Sequence, residues 1–407
     1  MVQKNKIYFD HAATTPVDPE VLKAMEPYFS EKWGNPSSIY AIGREAKGAI
    51  EDARQKATEI LNAKSPTEII FTSGATESNN MALKGAAEAA AFAIGGRPHI
   101  ITSQVEHHCV LDSAKHLEKS FGAEVTYLSV NKEGLVDPEE LKKAIKENTA
   151  IVSIIMGNNE MGAIQPIAEI GAIVKKEKEK RIEEGNKTPL AFHTDAVQAF
   201  AFEKIDVQDL GVDMLSLTAH KFYGPKGVGL LYIKSGTKFA SQQKGGAQER
   251  GLRAGTENVP YIIGMVTAMA KARTEITRYK KQVTNITEYL IERVQKEIPE
   301  VELLGPKDTK KRLPHIANFI FRRVEGESIL INLDMLGIAA SSGSACTSGS
   351  LEPSHVTKAM GYGDLEAHGA IRFSVGKLNK KEDVDELMLH LPKIVDKLRA
   401  MSPIAKG

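Results

Sequence analysis

Cys346 lies in a segment of small polar residues, SSGSACTSGS (341–350). The chain has two cysteines, so a framework of disulfide bonds is not available to it. Buried cysteines are usually inert, whereas reactive ones are exposed and lie near positive charge. The surrounding glycines and serines predict a mobile loop that carries a reactive thiol. A passive residue in a linker is the alternative for this segment taken alone.

Lys221 is a second candidate for chemistry, because it directly follows an apolar strand in LTAHKFYGPKGVGLLYI (217–233). Strand ends in an open α/β sheet border the crevice in which ligands bind. Desolvation by Phe222 and Tyr223 would lower the pKa of the amine and let it form a Schiff base with a carbonyl compound. An exposed lysine in a hairpin is the alternative from this segment alone.

A turn suited to an anion follows another strand, in IIFTSGATESNN (69–80). The Ser/Gly/Thr turn opens a helix, so backbone N–H groups and the positive end of the helix dipole point at one place. This arrangement favours a phosphate. An ordinary helix cap is the alternative, because Gly74 alone makes no phosphate-binding fingerprint.

Asp195 and Gln198 end a third strand, in FHTDAVQ (192–198). A carboxylate at that place is able to keep a pyridine nitrogen protonated. The alternative is that Asp195 only caps the next helix.

A histidine pair opens a further helix, in VEHHC (105–109). The imidazole of His107 is able to stack on a flat ring or to move protons. Zinc is less favoured, because His107, His108 and Cys109 lack the usual spacing of zinc ligands. Pyridoxal phosphate requires four groups of this kind at one sheet edge: an amine, an anion-binding turn, a partner for the ring nitrogen and an imidazole that stacks on the ring.

These residues need a sheet to bring them together, and the first 235 residues predict one. Apolar runs alternate there with helical segments at 76–92, 107–120, 137–147 and 166–183. We therefore expect an α/β fold with a mainly parallel seven-stranded sheet covered by helices on both faces. Only a short turn separates the last two strands, which predicts that they pair antiparallel. The seven strands are predicted as EIIFT (68–72), HIITS (99–103), EVTYLSV (124–130), AIVSIIM (150–156), LAFHT (190–194), DMLSLTA (213–219) and GVGLLYI (227–233).

The pattern changes after Asn258, which predicts a second, smaller α+β domain. The large ligand-binding domain is expected to span 15–258, and the small domain to combine 1–14 with 259–407 and to carry the cysteine loop (341–352). The elements expected in the small domain are a long helix at 259–297, strands HIANFIF (315–321) and GAIRFSV (369–375), a last helix near 380–400 and the amino-terminal strand.

Composition excludes several classes of partner. Lys+Arg 53 against Asp+Glu 52 gives a net charge of +1, which provides no electrostatic basis for binding nucleic acid or an anionic membrane. The first ten residues lack the apolar core of a signal peptide, and no apolar run is long enough to span a bilayer. With two cysteines, these features predict a protein of the reducing cytoplasm.

Nine ordered motifs give the chain a resemblance to the cysteine desulfurases, pyridoxal-phosphate enzymes of fold type I that supply sulfur for iron–sulfur clusters. The resemblance runs nearly from end to end, so it is far more specific than any single motif. The motifs are YFDHAATTPVDPEV (8–21), GNPSS (34–38), FTSGATESNN (71–80), NNEMG (158–162), HTDAVQ (193–198), AHKFYGPKGVG (219–229), GLRAGTENVP (251–260), SSGSACTSGSLEPSHV (341–356) and IRFSVG (371–376).

The resemblance implies a role for each matching residue around the cofactor. Lys221 would hold pyridoxal phosphate covalently, with His107 stacked on its ring and Asp195 on the ring nitrogen. Gln198 would bond the phenolic oxygen, with Asn159 nearby. The phosphate would be held by Ala75, Thr76, Thr218 and His220, and Thr256 would reach the phosphate of a second subunit, which implies a homodimer.

The remaining implied roles concern the reaction. Arg372 would bind the substrate carboxylate beside Asn159, a task that suits its planar fork of donors. Cys346 would take the sulfur of L-cysteine as a persulfide and release L-alanine, with His107 as proton donor or acceptor. The sulfur would pass to an iron–sulfur scaffold or another acceptor, including those for tRNA thiolation and thio-cofactors.

Four other functions fit parts of the same sequence. An aminotransferase or decarboxylase would share Lys221, Asp195 and the phosphate turn but needs no thiol. A selenocysteine lyase needs no thiol either. A subunit of a sulfur-transfer assembly would act mainly by docking a scaffold protein and would have little catalytic activity alone.

Overall fold

The computed structural model describes residues 7–342 and 353–401. Its main feature is a seven-stranded sheet in the order β2-β8-β7-β6-β5-β3-β4. Of these seven strands, only β8 runs against the others, pairing antiparallel with both β2 and β7. The predicted mainly parallel sheet, its seven strands and its antiparallel last pair are therefore confirmed. The strands are β2 (Ile69–Thr72), β3 (His99–Ser103), β4 (Glu124–Leu128), β5 (Thr149–Ser153), β6 (Ala191–Asp195), β7 (Met214–Thr218) and β8 (Gly229–Ile233).

Helices cover both faces of this sheet, because most of its strands are apolar on both sides. One face packs on α4 (Ala75–Ile94) and α5 (His108–Phe121). The other face packs on α3 (Ala41–Leu61), α7 (Ile167–Glu183) and α8 (Val259–Glu297). Three shorter helices lie in the same part of the chain, namely α1 (Pro19–Met25), α2 (Pro27–Ser30) and α6 (Pro138–Ala144).

The carboxy-terminal part builds a second, smaller sheet in the antiparallel order β12-β10-β9. The predicted strands at 315–321 and 369–375 form β10 and β12, and the predicted long helix is α8. The amino-terminal strand β1 (Ile7–Tyr8) pairs in parallel with β11 (Ile338–Ala339). The other elements are β9 (Val301–Leu303), β10 (Ile316–Phe321), β12 (Ala370–Ser374), α9 (Gly326–Met335), α10 (His355–Ala359), α11 (Asp364–His368) and α12 (Lys381–Met401).

The long helix α8 joins the two parts, because it packs on α1 and α3 and also on α12 and β9. A single hydrophobic cluster runs from Phe9 through the large sheet to Val395. The division into domains at residue 258 stays a prediction. Among the described helices, none is both long and apolar enough to cross a bilayer.

Candidate active site

A cavity of about 630 Å³ lies at the carboxyl edge of the large sheet. β2, β7, β6, β5 and β3 all end at this edge, and the reversed strand β8 begins there. Ten of the twelve predicted site residues line the cavity: Ala75, Thr76, His107, Asn159, Asp195, Gln198, Thr218, His220, Lys221 and Arg372. Thr256 is exposed and lies outside the cavity lining, and Cys346 lies outside the described residues.

Lys221 sits in the short turn after β7, and its amine is held by the main chain. Nζ donates to the carbonyl oxygens of Ala12 and Ala13, each at 2.7 Å. Gln198 also donates to the Ala12 carbonyl, at 2.8 Å. The segment that follows β1 therefore forms one wall of the cavity and positions the lysine.

The anion-binding turn lies where β2 ends and α4 begins. Gly74 precedes the first helical residue with φ 156°, a conformation open to glycine. The first N–H groups of a helix lack intrahelical acceptors, so those of Ala75 and Thr76 are available at the positive end of α4. The hydroxyls of Thr76 and Thr218 and the imidazole of His220 line the same cavity. This set of donors suits the phosphate of pyridoxal phosphate.

The sequence analysis missed three charged residues near this turn, namely Glu77, Arg253 and Lys226. Burial raises the pKa of Glu77, but hydrogen bonds from Arg253 and Ser73 outweigh it, so the net pKa lies below its usual value. Arg253 Nε is 2.8 Å from Glu77 Oε1, and it neutralises that carboxylate. Lys226 also lines the cavity and is exposed. The only sequence feature that could have pointed to these residues is that each is a charged residue inside one of the motifs quoted above.

Asp195 ends β6 and is 4% exposed. Its Oδ1 accepts from the backbone N–H of Val197 at 3.0 Å, and its Oδ2 accepts from Asn79 Nδ2 at 2.6 Å. Both oxygens accept, which is the behaviour of an ionised carboxylate. A buried carboxylate at this place suits the protonated ring nitrogen of the cofactor.

His107 caps the amino terminus of α5. Its Nδ1 accepts from the backbone N–H of Cys109 at 3.2 Å. Burial lowers the pKa of His107, with a smaller opposing effect of Asp195. The imidazole is therefore neutral near pH 7 and lines the cavity as a flat ring.

Arg372 lies on β12, lines the cavity and is 3% exposed. One terminal nitrogen donates to Asp10 Oδ1 and the other to the carbonyl oxygen of Asn159, both at 2.8 Å. Its Nε has no hydrogen-bond partner among the described residues. A guanidinium that is fixed in this way, with donor capacity left over, can bind a substrate carboxylate.

Two buried glutamates were also missed: Glu160 lines the cavity, and Glu106 accepts from the backbone N–H of Ile155, which lines it. Burial raises the pKa of Glu106 to about 8 and that of Glu160 to about 7. Glu160 accepts from Ser354, and the Glu106 carbonyl oxygen is 2.9 Å from His355 Nε2. The only signal for both was an acidic residue inside the motifs VEHHC and NNEMG.

Of the two cysteines, only Cys109 lies among the described residues. Burial raises the pKa of the Cys109 thiol to about 12, so Cys109 keeps its proton and is a poor nucleophile. Cys346 lies outside the described residues, and the described residues that flank 343–352 lie at the site. Ser341 forms two backbone hydrogen bonds with Arg372. Ser354 donates its hydroxyl to the carboxylate of Glu160, and His355 Nε2 contacts the backbone carbonyl oxygen of Glu106.

Comparisons with known proteins identify the family of this chain. The model of the aminotransferase class-V family matches residues 7–387. A relative named cysteine desulfurase IscS, from Dictyoglomus turgidum, is 50% identical over 98% of this chain and 97% of its own length. A solved structure of a NifS-like protein has 37% identity and a TM-score of 0.87, and it covers 97% of this chain and 100% of its own.

A second solved structure is SspA in complex with cysteine. It is 35% identical, has a TM-score of 0.76, and covers 91% of this chain and 99% of its own. Family model, relatives and solved structures therefore agree over nearly the whole chain. The chain belongs to the class-V aminotransferase family and, within it, to the pyridoxal-phosphate-dependent cysteine desulfurases.

Proposed function

We propose that this enzyme removes the sulfur atom of L-cysteine, releases L-alanine and keeps the sulfur as a persulfide on Cys346. The Cβ–Sγ bond of the substrate breaks and an S–S bond to Cys346 forms. The carbon is reduced to a methyl group while the sulfur is oxidised to the sulfane level. Thiol and substrate together supply every atom and electron, so the step needs no further oxidant.

The observation that carries this proposal is the meeting of four kinds of group in one cavity. An amine (Lys221), a buried carboxylate (Asp195), an anion-binding turn and a carboxylate-binding arginine (Arg372) all line it. When bound, pyridoxal phosphate supplies an electron sink that makes the substrate Cα–H and Cβ–Sγ bonds labile. The relative crystallised with cysteine supports the choice of substrate.

The chain's own residues hold the cofactor and move protons. Lys221 is the covalent anchor, and its amine removes the Cα proton once the substrate has taken its place. Asp195 keeps the ring nitrogen protonated, and Gln198 bonds the phenolic oxygen. The imidazole of His107 stacks on the ring and serves as proton donor or acceptor near the leaving sulfur.

Phosphate and substrate are held at opposite ends of the cavity. Ala75, Thr76, Thr218 and His220 bind the phosphate. Arg372 and Asn159 orient the substrate carboxylate, which presents the Cβ–Sγ bond to the loop thiol. Covalent capture on Cys346 then prevents the sulfur from leaving as free sulfide.

We place the enzyme in a homodimer whose two subunits share their sites through Thr256. Six large apolar residues of one segment, 22–42, are exposed, with Ile39 at 90% and Trp33 at 64%. In that segment Phe29 packs edge-on against Tyr261, which in turn lies beside Gly227 of the cavity wall. An apolar surface next to the cavity suits a second copy of the chain, since large exposed apolar patches mark interfaces.

The persulfide is passed on to an iron–sulfur scaffold protein or to another sulfur acceptor. Two cysteines in 407 residues suit the reducing cytoplasm, where we place the reaction. Near-equal numbers of acidic and basic residues give no reason to expect that the enzyme binds nucleic acid itself.

A single-turnover reaction with L-cysteine tests the proposal. Alanine is measured together with a mass increase of about 32 Da, one sulfur atom, on the peptide that contains residue 346. Cys346→Ser is the test variant and Cys109→Ser is the matched control, because it removes the chain's other thiol. We expect alanine and the modified peptide from the wild type and from the control, and neither from Cys346→Ser. Alanine from Cys346→Ser would refute the role of this thiol.

A further inference from the structure

Four side chains form a continuous row of contacts along the cavity wall, from the carboxylate at the end of β6 to the imidazole at the start of α5. Asn79 Nδ2 lies 2.6 Å from Asp195 Oδ2 and 3.1 Å from Cys109 Sγ. Cys109 Sγ lies 3.0 Å from His107 Nδ1. Asn79 is fully buried, so these contacts are shielded from solvent. The row links the two residues that are proposed to touch the cofactor ring at different places.

The direction of every hydrogen bond in this row follows from chemistry. The amide nitrogen of Asn79 carries two hydrogens, and its two acceptors are Asp195 Oδ2 and Cys109 Sγ. Rotating the amide by half a turn would place its oxygen against the carboxylate, which is repulsive. Asn79 therefore donates in both directions.

The last contact, between Cys109 and His107, is also fixed. His107 Nδ1 accepts from a backbone N–H, which can only donate, so Nδ1 carries no proton. Burial keeps the Cys109 thiol protonated, because it raises the thiol pKa to about 12. The thiol must therefore donate to Nδ1, and the proton of the neutral imidazole sits on Nε2.

We propose that Asn79 and Cys109 are positioning residues of the desulfurase, which hold His107 as a neutral imidazole protonated on Nε2 and link it to Asp195. The inference rests on the proposed function, because that function places His107 and Asp195 at the ring. Two donors at Nδ1 stabilise the neutral imidazole and disfavour its protonation. His107 thus offers an N–H to the reaction and withholds a basic nitrogen at Nδ1.

The charged and titratable groups around His107 are the same in every variant of Cys109. Asp195 and Asp112 favour the protonated imidazole, whereas Lys221 and His108 disfavour it. Their effects cancel when variants at position 109 are compared, so a difference between variants reports on the thiol.

The test measures the pKa of His107 in the cofactor-free protein. The rate of hydrogen exchange at the imidazole C2 carbon depends on the protonation of each histidine, and mass spectrometry reads it histidine by histidine. Fragment ions separate His107 from its neighbour His108. Wild type, Cys109→Ala and Cys109→Ser are compared, and circular dichroism confirms that each variant is folded.

We expect Cys109→Ala to raise the pKa of His107 by about 0.4 to 1 unit, the equivalent of one lost neutral hydrogen bond. Cys109→Ser keeps a donor at the same place, so its His107 should titrate within about 0.2 unit of the wild type. An unchanged pKa in Cys109→Ala would overturn the proposal. An equal rise in both variants would also overturn it, because a general packing defect would then explain the shift.

Alanine formation by the same wild-type preparation, after pyridoxal phosphate has been added back to it, separates this inference from the proposed function. If the wild type made no alanine, the proposed function would fail, while the His107 titration would still report whether the row of hydrogen bonds exists. If alanine formed and the titration did not respond to Cys109→Ala, only the positioning role would fail.

Discussion

At the scale of single residues, the cavity is organised by side chains that bond to distant main chain. Lys221 is held by carbonyl oxygens more than 200 positions earlier in the sequence. Arg372 is held by Asp10 and by the carbonyl oxygen of Asn159. These partners fix where each functional group points before any ligand arrives.

Removing the amine of Lys221 should remove the covalent link to the cofactor. We expect Lys221→Ala to lose the visible absorbance that pyridoxal phosphate acquires on binding through a lysine. The matched control is Lys226→Ala, which removes another cavity lysine five positions away. Absorption spectra after addition of cofactor decide between the two. An unchanged band in Lys221→Ala would show that another amine is the anchor.

Arg372→Ala should weaken cysteine binding more than cofactor binding. Loss of charge-assisted hydrogen bonds to the substrate carboxylate should raise KM for cysteine roughly 10- to 100-fold. The affinity for pyridoxal phosphate should change much less. Steady-state kinetics and cofactor titration measure the two effects. Arg372→Lys keeps the charge but loses the planar fork, so we expect an intermediate KM. Equal losses in both measurements would assign Arg372 a structural role.

Residues that end a strand were predictable from the sequence, whereas residues that support them were not. Asp195 and Lys221 follow apolar runs, and such runs reveal a sheet edge. Asn79 and Glu160 act through partners that are far away in the sequence, so no local pattern marks them. Cys109 is partly buried, and its hydrogen bonds with His107 and Asn79 could not be read from spacing.

At the scale of elements, the reversed strand β8 shapes the anion-binding turn. A Cβ on Gly229, the first residue of β8, would lie 2.6 Å from the carbonyl carbon of Gly74 and 2.7 Å from Thr72 Oγ1. The missing side chain therefore lets β8 approach the turn between β2 and α4. The place of the phosphate site depends on this contact between backbones.

Gly229→Ala should disturb the turn and weaken cofactor binding. The added methyl group meets backbone, which cannot move aside as a flexible side chain could, so we expect a loss of about 1–3 kcal/mol in stability. Gly48→Ala on α3 is the matched control, because nothing lies within 4 Å of its added Cβ. It should be neutral or slightly stabilising. Thermal unfolding and cofactor titration compare the two, and equal behaviour would contradict the packing argument.

Long elements were predicted well and short ones poorly. The seven strands and the helix α8 have strong apolar patterns. The predicted strand 150–156 ends at Ser153 in the structure, although the N–H groups of Ile154 and Met156 still bond to carbonyl oxygens of His193 and Asp195 on the neighbouring strand β6. β9 and β11 have three and two residues, too few for a periodic pattern, and exist through pairing with distant strands.

At the scale of the whole molecule, buried neutral histidines make the fold sensitive to acid. His193 lies in the middle of the large sheet, where its two ring nitrogens contact Ser153 and Ser216. Burial lowers its pKa to about 3. Between about pH 6.5 and pH 3, His193 is therefore protonated in the unfolded chain and neutral in the folded one.

The free energy of unfolding should fall as the pH drops from about 6.5, the pKa of an unfolded histidine, towards the folded value. His193 alone should account for about 2 kcal/mol of that loss at pH 5. Denaturant titrations at pH 7 and pH 5 should show a smaller loss for His193→Gln. The exposed His116→Gln is the control and should behave as the wild type. An unchanged loss in His193→Gln would contradict the assignment.

The proposed dimer can be tested at its apolar segment. Ile39→Glu places a charge where a second copy is expected to pack, so the variant should sediment as a monomer at concentrations where the wild type is dimeric. Phe92→Glu is the matched control, because Phe92 on α4 is 93% exposed and lies outside the segment. Dimers that persist in Ile39→Glu would place the interface elsewhere.

The position of β2 at the border of the large sheet has a consequence for biosynthesis. Its ladder partner among the described strands is β8, and the paired residues Thr72 and Gly229 are 157 positions apart (229 minus 72). While the ribosome makes the chain, β2 and the turn that follows it must wait for more than a third of the protein to emerge. Pairing over such a separation is slow. A nascent chain therefore has no phosphate site to offer until β8 (Gly229–Ile233) has been made, so pyridoxal phosphate can be bound there only in the second half of synthesis.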